Sequence, residues 1–512
     1  MRKMTCVLAY VIFFVYLCAE IGAMITLKYT IMIHLYEEAA RCLLCENAPC
    51  GESIARAIRA IRFENEQNAW RFWADVTEAE LEAAEKACIH YDRPIRISEL
   101  KKAISYQPSE VSLPSLEINF CDMVCENPFF LASSAICTNY EMVARALEAG
   151  WAGVFYKTIC KQDIREVSPR FDAVRKEGTP FVGFRNMEQL SENPYDVDFD
   201  ILHRLKVNYP SKRIIASIMG QNEEEWIELA KMAEEAGCDA VELNFSCPQM
   251  RLSGLGSDIG QNPELVLAYT SFVSDAVTIP VIPKMTPNVK SLDKASMACY
   301  FGGAKGISAI NTIKSITMSH DAEVSEKKTV SGYSGKAVKP IALRMIHEMT
   351  ANPILHKAGI EKHMDISGIG GIETWRDALE FIQLGCRNVQ VCTAVMQYGY
   401  RIIDDLILGL QTYMAERGIT ELKKLVGEEL KNIVMPSDLD RETMVFPKVD
   451  REKCIGCGRC HISCMDGGHQ AIEFGQDRKP RIIGTKCVGC HLCRLVCPTK
   501  AMGMAKRMPK RA

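Results

Sequence analysis

The 512-residue sequence has no strong excess of either charge: 61 lysine and arginine residues are balanced by 64 aspartate and glutamate residues, so the net charge is −3. It therefore lacks the basic field that nucleic-acid binding requires, and we expect no nucleic-acid partner. No Gly-x-Gly-x-x-Gly fingerprint follows the first predicted strand, which argues against a Rossmann domain. With 48% hydrophobic and 24% charged residues, the composition excludes a disordered, a collagen-like and a polytopic membrane protein.

Cysteine is abundant, with 23 residues in the chain. Eight of them form two C-x2-C-x2-C-x3-C runs, in segments 445–476 and 478–507. This spacing is typical of two [4Fe–4S] clusters, where the fourth cysteine of each run binds the other cluster. The predicted ligand sets are Cys454, Cys457, Cys460 and Cys497 for one cluster, and Cys487, Cys490, Cys493 and Cys464 for the other. A zinc ribbon needs only four ligands and a disulfide framework needs an oxidising compartment, so both fit less well.

Between residues 112 and 435, short apolar runs alternate with amphipathic helical stretches. The runs are Phe129–Ser133, Gly153–Lys157, Arg213–Met219, Ala240–Phe245, Pro280–Met285, Gly306–Asn311, Asp365–Ile369 and Asn388–Val395. Helices are predicted at Glu223–Ala236, Glu264–Val277, Pro340–Met349 and Thr374–Leu384, among others. Eight β/α units in about 300 residues predict an α/β fold, a TIM (β/α)8 barrel.

Polar residues stand where nearly every predicted strand ends. They are Ser133, Lys157, Thr158, Asn244, Ser246, Cys247, Lys284, Asn311, Thr312, Gly370, Gly371, Cys392 and Thr393. The chemistry of such barrels lies at the carboxyl ends of the strands, and phosphates bind after strands seven and eight. A cofactor that accepts electrons and carries a phosphate, namely FMN, suits this arrangement next to iron–sulfur clusters.

Together these motifs resemble the dihydroorotate and dihydropyrimidine dehydrogenase superfamily, and within it the bacterial dihydropyrimidine dehydrogenase catalytic subunits. The resemblance covers about residues 112–505. It is carried by Leu131–Ser133, Tyr156–Thr158, Glu242–Pro248, Gly260–Glu264, Lys284–Asn288, Asn311–Thr312, Val338–Arg344 and Gly370–Ile372.

The resemblance implies a role for each matching residue. Cys247 matches the general acid, and Lys284 matches a lysine that stabilises the reduced flavin. The residues that match the pyrimidine-binding positions are Asn186, Asn244, Asn311 and Thr312. The residues that match the FMN-binding positions are Ser133, Lys157, Thr158, Lys284, Asn311, Ser334, Gly335, Gly370, Gly371, Cys392 and Thr393.

The implied activity is reduction of uracil and thymine to their 5,6-dihydro forms, or the reverse, in an NAD(P)-linked enzyme. Because the sequence shows no NAD or FAD domain, a partner flavoprotein is expected to deliver the electrons. A homodimer within a heteromeric complex, located in the cytoplasm, is implied. Two alternatives stay open: a dihydroorotate dehydrogenase catalytic subunit, and an electron-transfer subunit whose barrel binds FMN only as a relay.

The first 111 residues are harder to interpret. Residues 37–111 are predicted to be a helical extension in which Cys42, Cys45 and Cys50 resemble the start of an iron–sulfur motif that lacks its fourth cysteine. Cys88 is a candidate to complete a third iron–sulfur or zinc site, and a purely structural role is the alternative. Residues 1–36 begin with an apolar run shorter than a membrane span. Translation from Met24 or Met32 is the preferred explanation, and a membrane tether the alternative.

Overall fold

Eight parallel strands form a closed barrel in which every strand pairs with its neighbours in chain order and the last pairs with the first. The strands are β1 (Phe129–Leu131), β2 (Gly153–Phe155), β3 (Arg213–Ile218), β4 (Ala240–Asn244), β5 (Val281–Lys284), β6 (Gly306–Ala309), β7 (Asp365–Ile369) and β8 (Asn388–Val391). The predicted barrel is confirmed. Most strands end a few residues before the apolar runs do, because the chain leaves the sheet at the polar residues.

This computed structural model describes residues 36–90, 92–104, 112–176, 179–248, 254–318, 328–355 and 364–510, without the side chains of 175–181. Helices follow the strands around the barrel. The principal ones span Tyr140–Ala149, Tyr195–Asn208, Glu223–Glu235, Pro263–Ala276, Asp293–Phe301, Lys339–Thr350, Trp375–Gln383 and Ile403–Glu416, with short helices at Ser257–Gly260 and Thr393–Tyr398. The four helices predicted by range agree with these to within one residue at each end.

Local sequence determines where several barrel helices begin. Asn139, Asn222 and Asn262 each cap a helix, because the side-chain oxygen accepts hydrogen bonds from backbone N–H groups of the first turn. Thr374 and Asp377 form a reciprocal capping box at the start of another. Because the caps fix where these helices begin, they also fix where the loops from the carboxyl ends of the strands end. The candidate site lies at these loops.

The interior of the barrel is unusually polar. Ser217, Glu242, Ser308, Ser367 and Gln390 are buried on five different strands, where branched aliphatic residues are the common choice. The Gln390 Nε2 atom donates to Ser308 Oγ at 3.0 Å and to Ser367 Oγ at 2.9 Å. Specific hydrogen bonds between these buried side chains therefore stabilise the barrel interior, in addition to packing.

A second sheet, absent from the sequence-based prediction, lies in the same unit. Its antiparallel strands run in the order Ile313–Ser315, Ser331–Ser334, Thr179–Asn186 and Phe171–Lys176. Gly332 pairs with Asn186, and Ser334 with Phe184. The sheet joins segments that follow β2 and β6, and it places Asn186 and Ser334 together.

The described residues form two compact units. One contains 42–80 and 112–432; the other contains 36–41, 81–104 and 433–510. The stretch 37–111, predicted as one extension, is thus divided between the units. Its helices span Glu52–Arg62, Glu66–Trp73, Glu78–Ala87 and Ile97–Ala103. A short antiparallel pair, Ile118–Phe120 with Met123–Cys125, precedes the barrel.

The C-terminal segment has the duplicated architecture expected of a two-cluster ferredoxin. Strand Thr443–Val449 pairs with Met502–Pro509, and Ile472–Phe474 pairs with Pro480–Ile482. Helix Arg459–Gly467 carries Cys460 and Cys464, and the short helix Leu492–Leu495 carries Cys493. None of the helices in the described ranges is long and apolar enough to cross a membrane, and the apolar segment 1–35 lies outside those ranges.

Candidate active site

A cavity of about 990 Å³, open to solvent, lies at the carboxyl ends of the barrel strands. Every barrel residue predicted to bind substrate or cofactor lines it: Ser133, Lys157, Thr158, Asn186, Asn244, Cys247, Lys284, Asn311, Thr312, Ser334, Gly335, Gly370, Gly371, Cys392 and Thr393. They come from both the barrel and the second sheet.

A chain of hydrogen bonds runs along the wall of the cavity. Asn311 Nδ2 donates to Ser246 Oγ at 2.8 Å, and Ser246 Oγ donates to Asn244 Oδ1 at 2.8 Å. Asn244 Nδ2 in turn donates to Thr158 Oγ1 at 2.9 Å. These contacts fix the amide orientations, and since an amide nitrogen carries two hydrogens, each asparagine keeps one N–H for a ligand. Ser246 completes the chain, although the sequence analysis gave it no role of its own.

Cys247 lies on the loop after β4 and lines the cavity, with its side chain almost fully buried. Its carbonyl oxygen accepts a hydrogen bond from the Ser257 N–H at 3.0 Å, which anchors one side of the loop. Cys137 and Cys392 are two further free thiols of the barrel. Burial raises the pKa of Cys137 to about 12 and raises that of Cys392 above its usual value. Both are therefore neutral at physiological pH, and the Cys392 thiol donates to Ser134 Oγ at 3.2 Å.

Two buried lysines line the cavity, and each has a carboxylate partner. Lys157 Nζ lies 3.1 Å from Glu188 Oε1, and Lys284 Nζ lies 3.6 Å from Glu242 Oε1. Glu242 is completely buried. A buried charge requires such a counter-ion, since removal from water is otherwise costly. Sequence reasoning assigned the lysines but missed both acids; Glu188 follows Asn186 by two residues, which is the signal that could have indicated it.

Three glycines line the cavity near the carboxyl end of β7. Gly335, Gly370 and Gly371 have φ angles of +91°, +132° and +73°. A Cβ atom on Gly371 would lie 2.8 Å from the Gly335 carbonyl oxygen and 3.0 Å from the Lys339 nitrogen. Only glycine fits there. Backbone is thus exposed beside the Thr393 hydroxyl, which lies 3.0 Å from Ser334 Oγ.

In the C-terminal unit the cysteines surround two separate cavities. One, of about 320 Å³, is lined by Cys454, Cys457, Cys460 and Cys497. The other, of about 350 Å³, is lined by Cys464, Cys487, Cys490 and Cys493. These are the two sets that the spacing predicts. Within the described ranges no three His, Cys, Asp or Glu side chains converge as ligands of one metal ion do.

The electrostatics of the first cavity suit a cationic cluster core. Burial raises the pKa of the Cys460 thiol, and negative charge on Cys497, Cys457 and Cys454 raises it further. Four thiolates around one cavity therefore repel one another. Iron supplies the positive charge that allows all four to be deprotonated together.

Cys42, Cys45 and Cys50 lie in the unit that contains the barrel. The backbone of their loop is held by two arginines: Arg62 donates to the Cys42 carbonyl at 2.8 Å and Arg401 to the Leu44 carbonyl at 2.6 Å. These contacts give the segment a structural role. A third iron–sulfur or zinc site at these cysteines stays a prediction.

The closed barrel with its polar mouth, together with the two cysteine cavities, defines the class of barrel oxidoreductases that carry an iron–sulfur electron-transfer module. Residues 115–414 match the family model described as dihydroorotate dehydrogenase, and residues 447–504 match the one described as 4Fe-4S dicluster domain. The chain therefore belongs to the dihydroorotate dehydrogenase family, with an appended 4Fe-4S dicluster domain.

Three relatives place the chain more narrowly. It is 50% identical over 390 residues to the NAD-dependent dihydropyrimidine dehydrogenase subunit PreA of Escherichia coli K12, covering 75% of this chain and 93% of that protein. It is 34% identical over 343 residues to the chloroplastic dihydropyrimidine dehydrogenase (NADP(+)) of Arabidopsis thaliana, covering 64% and 80%. It is 35% identical over 323 residues to the catalytic subunit of dihydroorotate dehydrogenase B (NAD(+)) of Pyrococcus horikoshii, covering 62% and 98%.

The residues of the cavity fit flavin mononucleotide, the cofactor expected for this family. Gly335, Gly370 and Gly371 expose backbone groups where a phosphate needs close approach. Lys157 and Lys284 place positive charge in the cavity, and such charge would stabilise the negative charge that a flavin gains on reduction. Cys247 lines the same cavity as these residues.

Proposed function

We propose that this chain is the catalytic subunit of an NAD(P)-linked dihydropyrimidine dehydrogenase, which reduces uracil or thymine to the 5,6-dihydro form, or catalyses the reverse reaction. The observation that carries the proposal is the shared cavity: Cys247 lies in the same space as Asn186, Asn244, Asn311 and Thr312. A thiol that can release a proton is thereby combined with side chains that recognise alternating C=O and N–H groups.

The amides supply the recognition. Asn244 and Asn311 keep one amide N–H each after their hydrogen bonds to Thr158 and Ser246, and these donors suit the two carbonyl groups of a pyrimidine. Asn186, held on the second sheet, approaches from another side of the cavity. Because the hydrogen-bond chain fixes the orientations before substrate arrives, little entropy is lost on binding.

When bound, FMN supplies the hydride that C6 of the ring accepts. Cys247 then donates its thiol proton to C5, and the thiolate regains a proton from solvent. A thiol suits this role, since its ordinary pKa of about 8.5 lies near physiological pH. Lys157 and Lys284 would hold the flavin ring, and Lys284 would supply positive charge to the reduced ring. Ser133 and Thr158 would support the ring, while the backbone at Gly370, Gly371, Cys392 and Thr393 would bind the phosphate end.

The eight cysteines of the C-terminal unit bind two [4Fe–4S] clusters in the crossed sets described above. Such clusters carry single electrons, so this chain receives reducing equivalents from a partner flavoprotein that binds NAD(P)H. A homodimer of this chain within that heteromeric complex, located in the cytoplasm, completes the proposal.

Steady-state assays of the anaerobically purified holoprotein test the proposal, with uracil, thymine and dihydroorotate as substrates and an artificial electron donor or acceptor. Turnover of uracil and thymine supports it. Turnover of dihydroorotate alone identifies the enzyme as a dihydroorotate dehydrogenase. Electron transfer without turnover of any of the three substrates identifies a relay.

Cys247→Ala tests the proton donor. Loss of general acid catalysis lowers kcat by about 10²- to 10⁴-fold, while FMN and iron content stay unchanged. Cys299→Ala is the matched control, because Cys299 is also buried but does not line the cavity. Wild-type turnover by Cys247→Ala would contradict the assignment.

A further inference from the structure

The charges that line the active-site cavity are internally compensated. Among the described lining residues the only lysines or arginines are Lys157 and Lys284, and each lies beside a carboxylate. The lining acids are Glu188 and Glu373. Neither lining lysine is therefore without a carboxylate partner.

Of the two lining acids, Glu188 lies closer in the sequence to Asn186, one of the residues proposed to bind the substrate. It follows Asn186 by two residues, lines the cavity, and has an almost buried side chain. Its Oε1 atom lies 3.1 Å from Lys157 Nζ and 3.5 Å from Arg170 Nη1. Glu188 thus pairs with Lys157, one of the two lining lysines, and also with Arg170 behind the lining.

We infer that Glu188 is a specificity-determining residue that excludes carboxylate-bearing pyrimidines and admits neutral ones. A carboxylate that enters the cavity must lose water, and Glu188 both repels it and occupies its counter-ions. A neutral ring loses only hydrogen bonds to water, which the amides replace. This inference rests on the proposed function, and it names the substrate class as uncharged pyrimidines.

Glu188→Gln keeps the shape of the side chain and removes its charge. Orotate, which is uracil with a carboxylate at C6, and uracil itself are titrated into the oxidised holoprotein, and binding is followed through the flavin absorbance. The expected result is at least a tenfold lower Kd for orotate, which is about 1.4 kcal/mol, with a change of less than about threefold for uracil. An unchanged Kd for orotate, or an equal change for both ligands, overturns the inference.

Arg170→Gln gives the opposite sign in the same assay. It leaves Glu188 with one cation fewer, so orotate should bind more weakly while uracil is unaffected. This variant decides the question even if Glu188→Gln fails to retain flavin, because stronger or unchanged binding of orotate contradicts the inference.

Glu192→Gln is the matched control. Glu192 pairs with the same Arg170 at 3.2 Å, but its side chain is half exposed and does not line the cavity. We expect it to leave the ratio of the two Kd values within about twofold of the wild type. Turnover of uracil by the wild-type protein is measured separately, so failure of the proposed activity remains distinct from failure of the binding prediction.

Discussion

Asn311 and Ser246, separated by 65 positions in the chain, are joined by a hydrogen bond of 2.8 Å from Asn311 Nδ2 to Ser246 Oγ. Asn311 follows β6 and Ser246 follows β4, with the end of β5 between them. The bond therefore ties the two sides of the cavity wall across an intervening strand. It also explains how two amides on separate loops can present a single binding surface.

Ser246→Ala should weaken substrate recognition without affecting the flavin. It removes the acceptor for Asn311 and the hydroxyl donor to Asn244, so both amides gain rotational freedom and a buried partner is lost. We expect KM for uracil to rise by about tenfold or more, consistent with about 1–3 kcal/mol for an unsatisfied buried group. Ser291→Ala, at an exposed position, serves as the control, and an unchanged KM in Ser246→Ala would show that the chain does not orient the amides.

Gly371→Ala should abolish or strongly weaken FMN binding. A Cβ atom at this position contacts backbone atoms at 2.8 and 3.0 Å, and the φ of +73° strains any other residue. Gly418→Ala is matched to it, since Gly418 has a φ of +65° but no atom within 4 Å of the added Cβ. The measurement is the FMN content after reconstitution. Full retention of flavin by Gly371→Ala would show that the FMN phosphate does not bind beside Gly371.

The crossed ligand sets make a prediction about single cysteine variants. Cys497→Ala should lose the same cluster as Cys454→Ala, and Cys464→Ala the same cluster as Cys487→Ala, because these cysteines line common cavities. Iron analysis and low-temperature EPR of the reduced variants distinguish the two clusters. If Cys497→Ala instead resembles Cys487→Ala, the fourth cysteine serves the run that contains it.

Asp377→Asn should destabilise the barrel in a pH-dependent way. Burial by itself raises the pKa of Asp377, but the positive charges of Lys336 and Lys339 outweigh it and hold the pKa below its usual range. Because the folded-state pKa is below the unfolded value, the stabilisation is present above the unfolded pKa and is lost as pH falls through the folded value.

The free energy of unfolding should therefore fall by on the order of 1–3 kcal/mol in Asp377→Asn at pH 7. The difference from the wild type should shrink below about pH 4. Denaturant unfolding followed by circular dichroism at several pH values measures it. Asp275→Asn, at an exposed position, provides the comparison, and a difference that does not vary with pH would show that the charge of Asp377 has no part in it.

The sequence by itself was sufficient for the barrel, because the alternation of short apolar runs with amphipathic helical stretches is a local signal. It was also sufficient for the ferredoxin module, where cysteine spacing alone predicts that Cys497 joins the set of Cys454. The strand-end rule located Cys247, Lys284 and Asn311, since the carboxyl ends of parallel strands meet at one end of a barrel.

Only the tertiary structure determined which charged side chains form ion pairs with one another. The second sheet pairs residues after β2 with residues after β6. Neither segment has a pattern of alternating hydrophobic residues that would predict pairing with a strand so distant in the chain. Glu188 and Glu242 were missed for the same reason: whether an acid is solvated or is the counter-ion of a buried lysine depends on the three-dimensional distance between them, here 3.1 and 3.6 Å. Neither the composition of the sequence nor the spacing of its residues indicates that distance.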